Sequence, residues 1–240
     1  MVAVRRHRLR GMEMIISHSH KFIFIKSYKT AGTSVEAAIS QYCSGDDVVT
    51  PLGDYSFNRN ERGDWIHHSN NAGDFHQHDD ALTIRNSLPA DIWNDYFKFS
   101  ITRNPWDRAV SLFSWEKRRD LLVPRKRFYH YLGIPFDDMH ETRKLFSEFI
   151  KGDWTNNDCF YTIDEQLCVD FVIHHERLRE DYIEVCKSIG IPAKELPQLK
   201  SGIRKQSHHY SSYYDEESQS IVAERNKTDI RLFGYEFECI

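Results

Sequence analysis

The 240-residue chain is 40% hydrophobic, 13% aromatic and 28% charged, values of a globular protein that exclude wholesale disorder. A formal charge of −4 argues against a general nucleic-acid binder, which needs a basic balance, so any anion site has to be local. Five scattered cysteines with no CxxC pair exclude a disulfide framework and a zinc-ribbon site, and suit the reduced thiols of a cytoplasmic protein.

Residues 1–13 are basic but have no apolar stretch for a signal peptide, and read as a flexible tail ahead of a single domain over 14–240. Met12 and Met14 are both available as alternative starts. No window holds the roughly 20 apolar residues of a membrane span. Lys21 to Ser34 (KFIFIKSYKTAGTS) organises the chain: four large apolar residues, Phe22 to Ile25, predict a strand buried on both faces. A small-residue turn follows, then a helix with Val35, Ala38 and Ile39 on one face and Thr33 or Ser34 as N-cap.

A strand, a small-residue loop and a helix outline a phosphate site. The helix start offers backbone N–H groups and the positive dipole end, Gly32 permits close approach of an anion, Thr33 and Ser34 add hydroxyls, and Lys29 adds a full charge. The loop is not GxxxxGK[ST], because its lysine precedes its only glycine by three residues.

Cys43 to Gly73 reads as an irregular surface excursion. His76 and His78 precede a short helix over 79–88 with Asp79 as N-cap and Pro89 beyond its end. Tyr96 to Thr102 (YFKFSIT) alternates as a strand, and Asn104-Pro105 then caps and opens a helix carrying Trp106, Val110 and Phe113 as a core stripe. Basic residues from Lys117 to Arg127 follow, then a helix over 141–150 closed by Gly152. Leu167 to Ile173 is a further strand, 178–189 a helix ended by Gly190, and 215–225 a last helix before an aromatic end. Arg103 stands where the YFKFSIT strand ends, the place where open α/β sheets put ligand contacts, and Ser111 lies two helical turns on. Arg103 and Ser111 can share one ligand only if the strand end folds back beside the helix.

KTAGTS followed by RNPWDRAVSLFSW resembles the two cofactor motifs of the sulfotransferases that use 3′-phosphoadenosine 5′-phosphosulfate (PAPS), in the branch holding carbohydrate sulfotransferases and many bacterial relatives. The likeness extends through HDDALTIR, LPADIWNDYFKF, DFVIHHERLREDY, HYSSYYDEES and DIRLFGYEF. It implies a P-loop NTPase-like three-layer α/β/α sandwich with a central parallel sheet. It further implies that the 5′-phosphosulfate rests on Lys29, Thr30, Gly32, Thr33 and Ser34, and the 3′-phosphate on Arg103 and Ser111.

The acceptor would be a hydroxyl, by resemblance a carbohydrate's, with no metal required and no nucleic-acid partner. Lys29 would stabilise the departing phosphate. His78 would be the base, with His76, His67 and His68 as the next candidates. In relatives the loop holding Arg204, Lys205 and Tyr210 approaches the nucleotide. Ser27-Tyr28 stands where relatives commonly carry Ile-Pro, a departure at the entrance of the loop. Two other readings compete: a nucleotide kinase or NTPase binding Mg-ATP at Lys29, and a non-catalytic nucleotide-binding module.

Overall fold

The structure, a computed structural model, describes residues 14–50, 70–71, 79–116, 138–197 and 208–239. It is mixed α/β and divides into two compact units, one of residues 1–27, 31–101 and 159–199, the other of residues 28–30, 102–158 and 200–240.

The first unit is built on a five-stranded sheet. Its strands are β1 (Met14–Ser17), β2 (Phe22–Ile25), β3 (Val48–Val49), β4 (Phe97–Thr102) and β7 (Phe171–His174), in the order β3-β1-β2-β4-β7. β2 is fully buried, as a continuous apolar run requires. It pairs in parallel with β4, Phe22 opposite Phe97 and Phe24 opposite Phe99, and antiparallel with β1, which is also antiparallel to β3. The expected parallel sheet therefore holds at β2 and β4, while the other edge is antiparallel, because the few residues between β1 and β2 allow only a hairpin.

One face of the sheet, with Ile15, Phe22, Phe24, Phe99, Ile101 and Ile173, is covered by Val35, Ala38 and Ile39 of α1 (Gly32–Ile39) and by Tyr182, Val185 and Cys186 of α6 (Leu178–Ser188). The opposite face is buried as well, and there the alternating pattern of YFKFSIT misleads. Ser100 donates to the Ile25 carbonyl at 2.7 Å, and Lys98 reaches Asp170 and the ring of Trp93.

Other boundaries differ from expectation for local reasons. α2 (Ala81–Ser87) is capped by Asp80, which accepts from the Thr83 N–H at 2.7 Å, rather than by Asp79. A further helix, α3 (Ala90–Asp95), follows Pro89. LCVDFVI is two strands: Leu167 closes the hairpin of β5 (Thr162–Ile163) and β6 (Gln166–Leu167), whose turn holds Asp164 and Glu165 at positive φ, and β7 begins only at Phe171.

Asp47 pins the β1–β2 turn. Its fully buried carboxylate accepts from the Ser17 and Ser19 hydroxyls and from the N–H groups of His18, Ser19 and Ser44. Burial alone would raise its pKa, but these hydrogen bonds outweigh burial and hold it below the ordinary carboxylate range. A depressed folded pKa gives stability that is present above the unfolded value and lost as pH falls through the folded one. Asp47→Asn is therefore expected to destabilise at pH 7 and to converge on wild type below about pH 4, as urea midpoints across that range would report. Burial likewise pushes the Cys43 thiol up to about 12 and Cys168 up to about 11, and all five cysteines are unbridged. Those two thiols are protonated and poorly reactive at neutral pH.

The second unit is helical. α4 (Pro105–Glu116) opens on Asn104, whose side chain accepts from the Trp106 and Asp107 N–H groups as expected for Asn-Pro. Trp106, Val110 and Phe113 are buried against Phe146, Phe149 and Ile150 of α5 (Asp138–Lys151) and Val222 of α7 (Glu216–Arg225), so the predicted stripe is core. Asp215 and Ser218 cap α7 reciprocally. The aromatic end holds α8 (Lys227–Phe233), stopped by Gly234 at φ 66.

Candidate functional site

The chemistry-bearing residues fall into two groups, one in each unit. In the first unit α1 starts at Gly32, earlier than predicted, with Ala31 as an N-cap at φ 68 that makes no side-chain capping bond. Thr33 and Ser34 are therefore not caps but first-turn residues, buried to 7% and 6% exposure, and the Ser34 N–H turns back to the Ala31 carbonyl. Alanine has no oxygen with which to cap this helix start, so the positive end of α1 carries no side-chain acceptor from its own N-cap.

Lys26 lies beside this turn. It is 3% exposed, and its ammonium sits 2.9 Å from the carboxylate of fully buried Glu36 on α1, which also accepts from Thr50. A Cβ added at Gly32 would meet Cγ of Lys26 at 2.6 Å. Gly32 thus serves the packing of a buried ion pair, a function that the spacing of KTAGTS does not carry. Lys26 and Glu36 were missed in the sequence because only the fold brings positions 26 and 36 together.

The second unit holds Lys29, Thr30, Arg103 and Ser111. Arg103 leaves the end of β4 and lies along the first turn of α4, donating from Nε and Nη2 to Asp107 at 2.8 and 2.5 Å. Its Nη1 donates to the main-chain carbonyl of Lys29 at 3.0 Å, 74 positions away in sequence. The two motifs therefore meet at one hydrogen bond.

Asp107, Ser111 and Trp115 follow at four-residue intervals on one face of α4. The Lys29 ammonium stands 4.3 Å from the centre of the Trp115 ring at one end of this face, and the Lys29 carbonyl accepts from Arg103, which binds Asp107 at the other, with Ser111 one turn from each. Trp115 is 46% exposed and was not singled out in the sequence, although its four-residue spacing from Ser111 was visible there. Each nitrogen of Arg103 already has a protein acceptor, so a second anion at Arg103 has to share the guanidinium with Asp107.

The loop's entrance departs from Ile-Pro in a way that has a partner. Tyr28 keeps the N–H that proline would lack, and it donates to Asn157 at 3.1 Å, while the Asn157 amide donates to the Tyr28 carbonyl at 2.9 Å. Lys29 has φ 59, a left-handed conformation that costs a non-glycine residue roughly 1–2 kcal/mol and persists only when neighbours enforce it.

His67, His68, His76, His78, the basic run Lys117 to Arg127, Arg204 and Lys205 lie outside the described residues. Tyr210 is buried in the aromatic core of the second unit, against Tyr214 and Phe237. Among the described residues no cluster of three or more His, Cys, Asp or Glu is arranged to hold a metal ion, and no helix is long and apolar enough to cross a membrane.

Residues 12–236 match the family described as the sulfotransferase family. The chain is also similar to an uncharacterized protein of Archaeoglobus fulgidus, at 31% identity over 118 residues, covering 47% of this chain and 82% of that one. No solved structure matches.

Proposed function

Because the chain belongs to the sulfotransferase family, we propose that it moves a sulfuryl group from PAPS to a hydroxyl, a carbohydrate's by its resemblance, and releases adenosine 3′,5′-bisphosphate. The observation that carries this reading is the hydrogen bond from Arg103 to the Lys29 carbonyl, which joins the lysine loop to the arginine at the end of β4. Both cations then stand on one face of α4, as a nucleotide phosphorylated at two positions requires.

In this reading the run Lys29, Thr30, Gly32, Thr33 and Ser34 holds the 5′-phosphosulfate, and Arg103 with Ser111 holds the 3′-phosphate. The fit rests on a helix start without a side-chain cap, two left-handed residues at 29 and 31 that turn the main chain, and a lysine and an arginine joined at one carbonyl. Transfer forms a bond from the acceptor oxygen to sulfur and breaks the bond from sulfur to the bridging oxygen of the phosphate. The acceptor proton passes to His78. The electron pair of the broken bond stays on the departing phosphate, whose growing charge Lys29 balances. By analogy with phosphoryl transfer, positioning and electrostatics supply most of the rate.

His78 is taken as the base from its place in HDDALTIR, and an imidazole's ordinary pKa lies close enough to neutral for it to accept a proton there. His78→Ala is expected to lower kcat roughly 10²- to 10⁴-fold with bisphosphate affinity nearly unchanged. A mutant with wild-type kcat would remove His78 from the mechanism.

Calorimetry with adenosine 3′,5′-bisphosphate against Mg-ATP tests the donor. Tighter binding of the bisphosphate supports PAPS; tighter binding of Mg-ATP makes the protein a nucleotide kinase or NTPase. Bisphosphate binding without sulfation of any hydroxyl acceptor in a broad panel favours a binding module.

A further inference from the structure

The Lys29 turn is held from outside the loop, at Tyr28 by a buried amide. Asn157 is 1% exposed and lies 129 positions from Tyr28, yet it makes both hydrogen bonds to the Tyr28 main chain. The Tyr28 N–H belongs to the peptide group before that residue and the Tyr28 carbonyl to the one after it. Binding both fixes the two peptide planes and with them the φ and ψ of Tyr28. The Arg103 bond to the Lys29 carbonyl fixes the next plane. Lys29 is thereby bounded by two pinned peptide planes, and its left-handed φ of 59 is set by side chains rather than by its own preference.

The amide is itself oriented. Arg108 is fully buried on α4 and donates from Nη1 to Asn157 Oδ1 at 3.4 Å and to the Thr155 carbonyl at 2.9 Å, and from Nη2 to Asn226 at 3.0 Å. Its guanidinium carbon stands 5.1 Å from the centre of the Trp154 ring. A guanidinium only donates, so the atom facing Arg108 has to be the amide oxygen, which leaves the NH₂ for the Tyr28 carbonyl. All three contacts of the amide agree on one orientation.

We infer that Asn157 is a positioning residue, which sets the Tyr28–Lys29 main chain and so the place of the Lys29 amine, with Arg108 fixing the orientation of its amide. The inference rests on the reading of Lys29 as the cation that balances the departing phosphate. Only an uncharged amide meets the requirement. Alanine loses both bonds, and aspartate keeps the acceptor for Tyr28 and Arg108 but sets a carboxylate against the Tyr28 carbonyl.

The test uses the full chain as wild type, Asn157→Ala and Asn157→Asp. Hydrogen exchange at the Tyr28 amide is expected to speed up roughly tenfold or more in Asn157→Ala while amides in α5 and α7 keep their rates. Unchanged exchange at Tyr28 overturns the inference, and so does a uniform rise across all three segments, which marks a plain loss of stability. In turnover, kcat is expected to fall roughly 10- to 100-fold in Asn157→Ala, with the KM for PAPS within about threefold, because the amine is misplaced while the remaining nucleotide contacts persist. Asn157→Asp, which retains one of the two bonds, falls between. A mutant whose kcat equals wild type, or whose only change is in KM, overturns the role. Wild-type protein that binds no bisphosphate overturns the reading of the site instead, and exchange at Tyr28 then decides on its own whether Asn157 positions the loop.

Discussion

Lys29→Gly is expected to lower kcat for sulfuryl transfer roughly 10³-fold while leaving the fold as stable as wild type or slightly more so. Glycine is the informative replacement because Lys29 sits at φ 59, which glycine adopts without strain, so the change removes the amine and keeps the turn. The change also removes the ammonium from the half-exposed ring of Trp115. The bond from Arg103 to the main-chain carbonyl survives, as does the amide of Asn157 at Tyr28. A loss of rate with an unchanged melting temperature therefore reports the charge. Lys29→Arg keeps a cation on a different geometry and is expected to retain part of the rate. Single-turnover rates with saturating PAPS separate chemistry from binding, and a Lys29→Gly protein within tenfold of wild type would remove Lys29 from the transition state.

Lys26→Met is expected to cost about 3–5 kcal/mol of stability, because it deletes the ammonium that balances the fully buried Glu36 carboxylate. The double change Lys26→Met with Glu36→Leu is expected to cost far less than the sum of the single changes, since no buried charge then remains to be balanced. The expected coupling is about 2 kcal/mol or more, read from urea unfolding of the two single mutants and the double mutant. Additive effects would mean that the two groups contribute independently. Gly32→Ala belongs to the same cluster. Its Cβ falls 2.6 Å from the Lys26 stem, which cannot swing aside without breaking the bond to Glu36, so a cost of about 1–3 kcal/mol is expected.

Elements whose signals lie within a few residues were legible in the sequence. The Phe22–Ile25 run gave β2, Asn104-Pro105 gave the start of α4, the helix expected over 215–225 is α7, and Gly190 at φ 70 marks the end of α6 as expected. Each depends on contacts between neighbours or one helical turn apart, so composition and period suffice. Boundaries set by competing local choices were less legible. Asp80 rather than Asp79 caps α2, because the neighbouring carboxylate meets the same demand, and α1 begins at Gly32 on an Ala31 N-cap that offers no side-chain acceptor, rather than after a Thr33 or Ser34 cap.

By itself the sequence determined the family through KTAGTS and RNPWDR, the residue types available for anion chemistry, and the strands and helices that carry them. The tertiary structure alone decided which polar groups meet. Arg103 reaches its carbonyl across 74 positions, Asn157 reaches Tyr28 across 129, and Lys26 meets Glu36 under Gly32. No periodicity records such pairings. A hydrogen bond closes whatever separation the chain's path happens to bring together, and that path is chosen by burial of the apolar faces rather than by the polar residues that meet as a result.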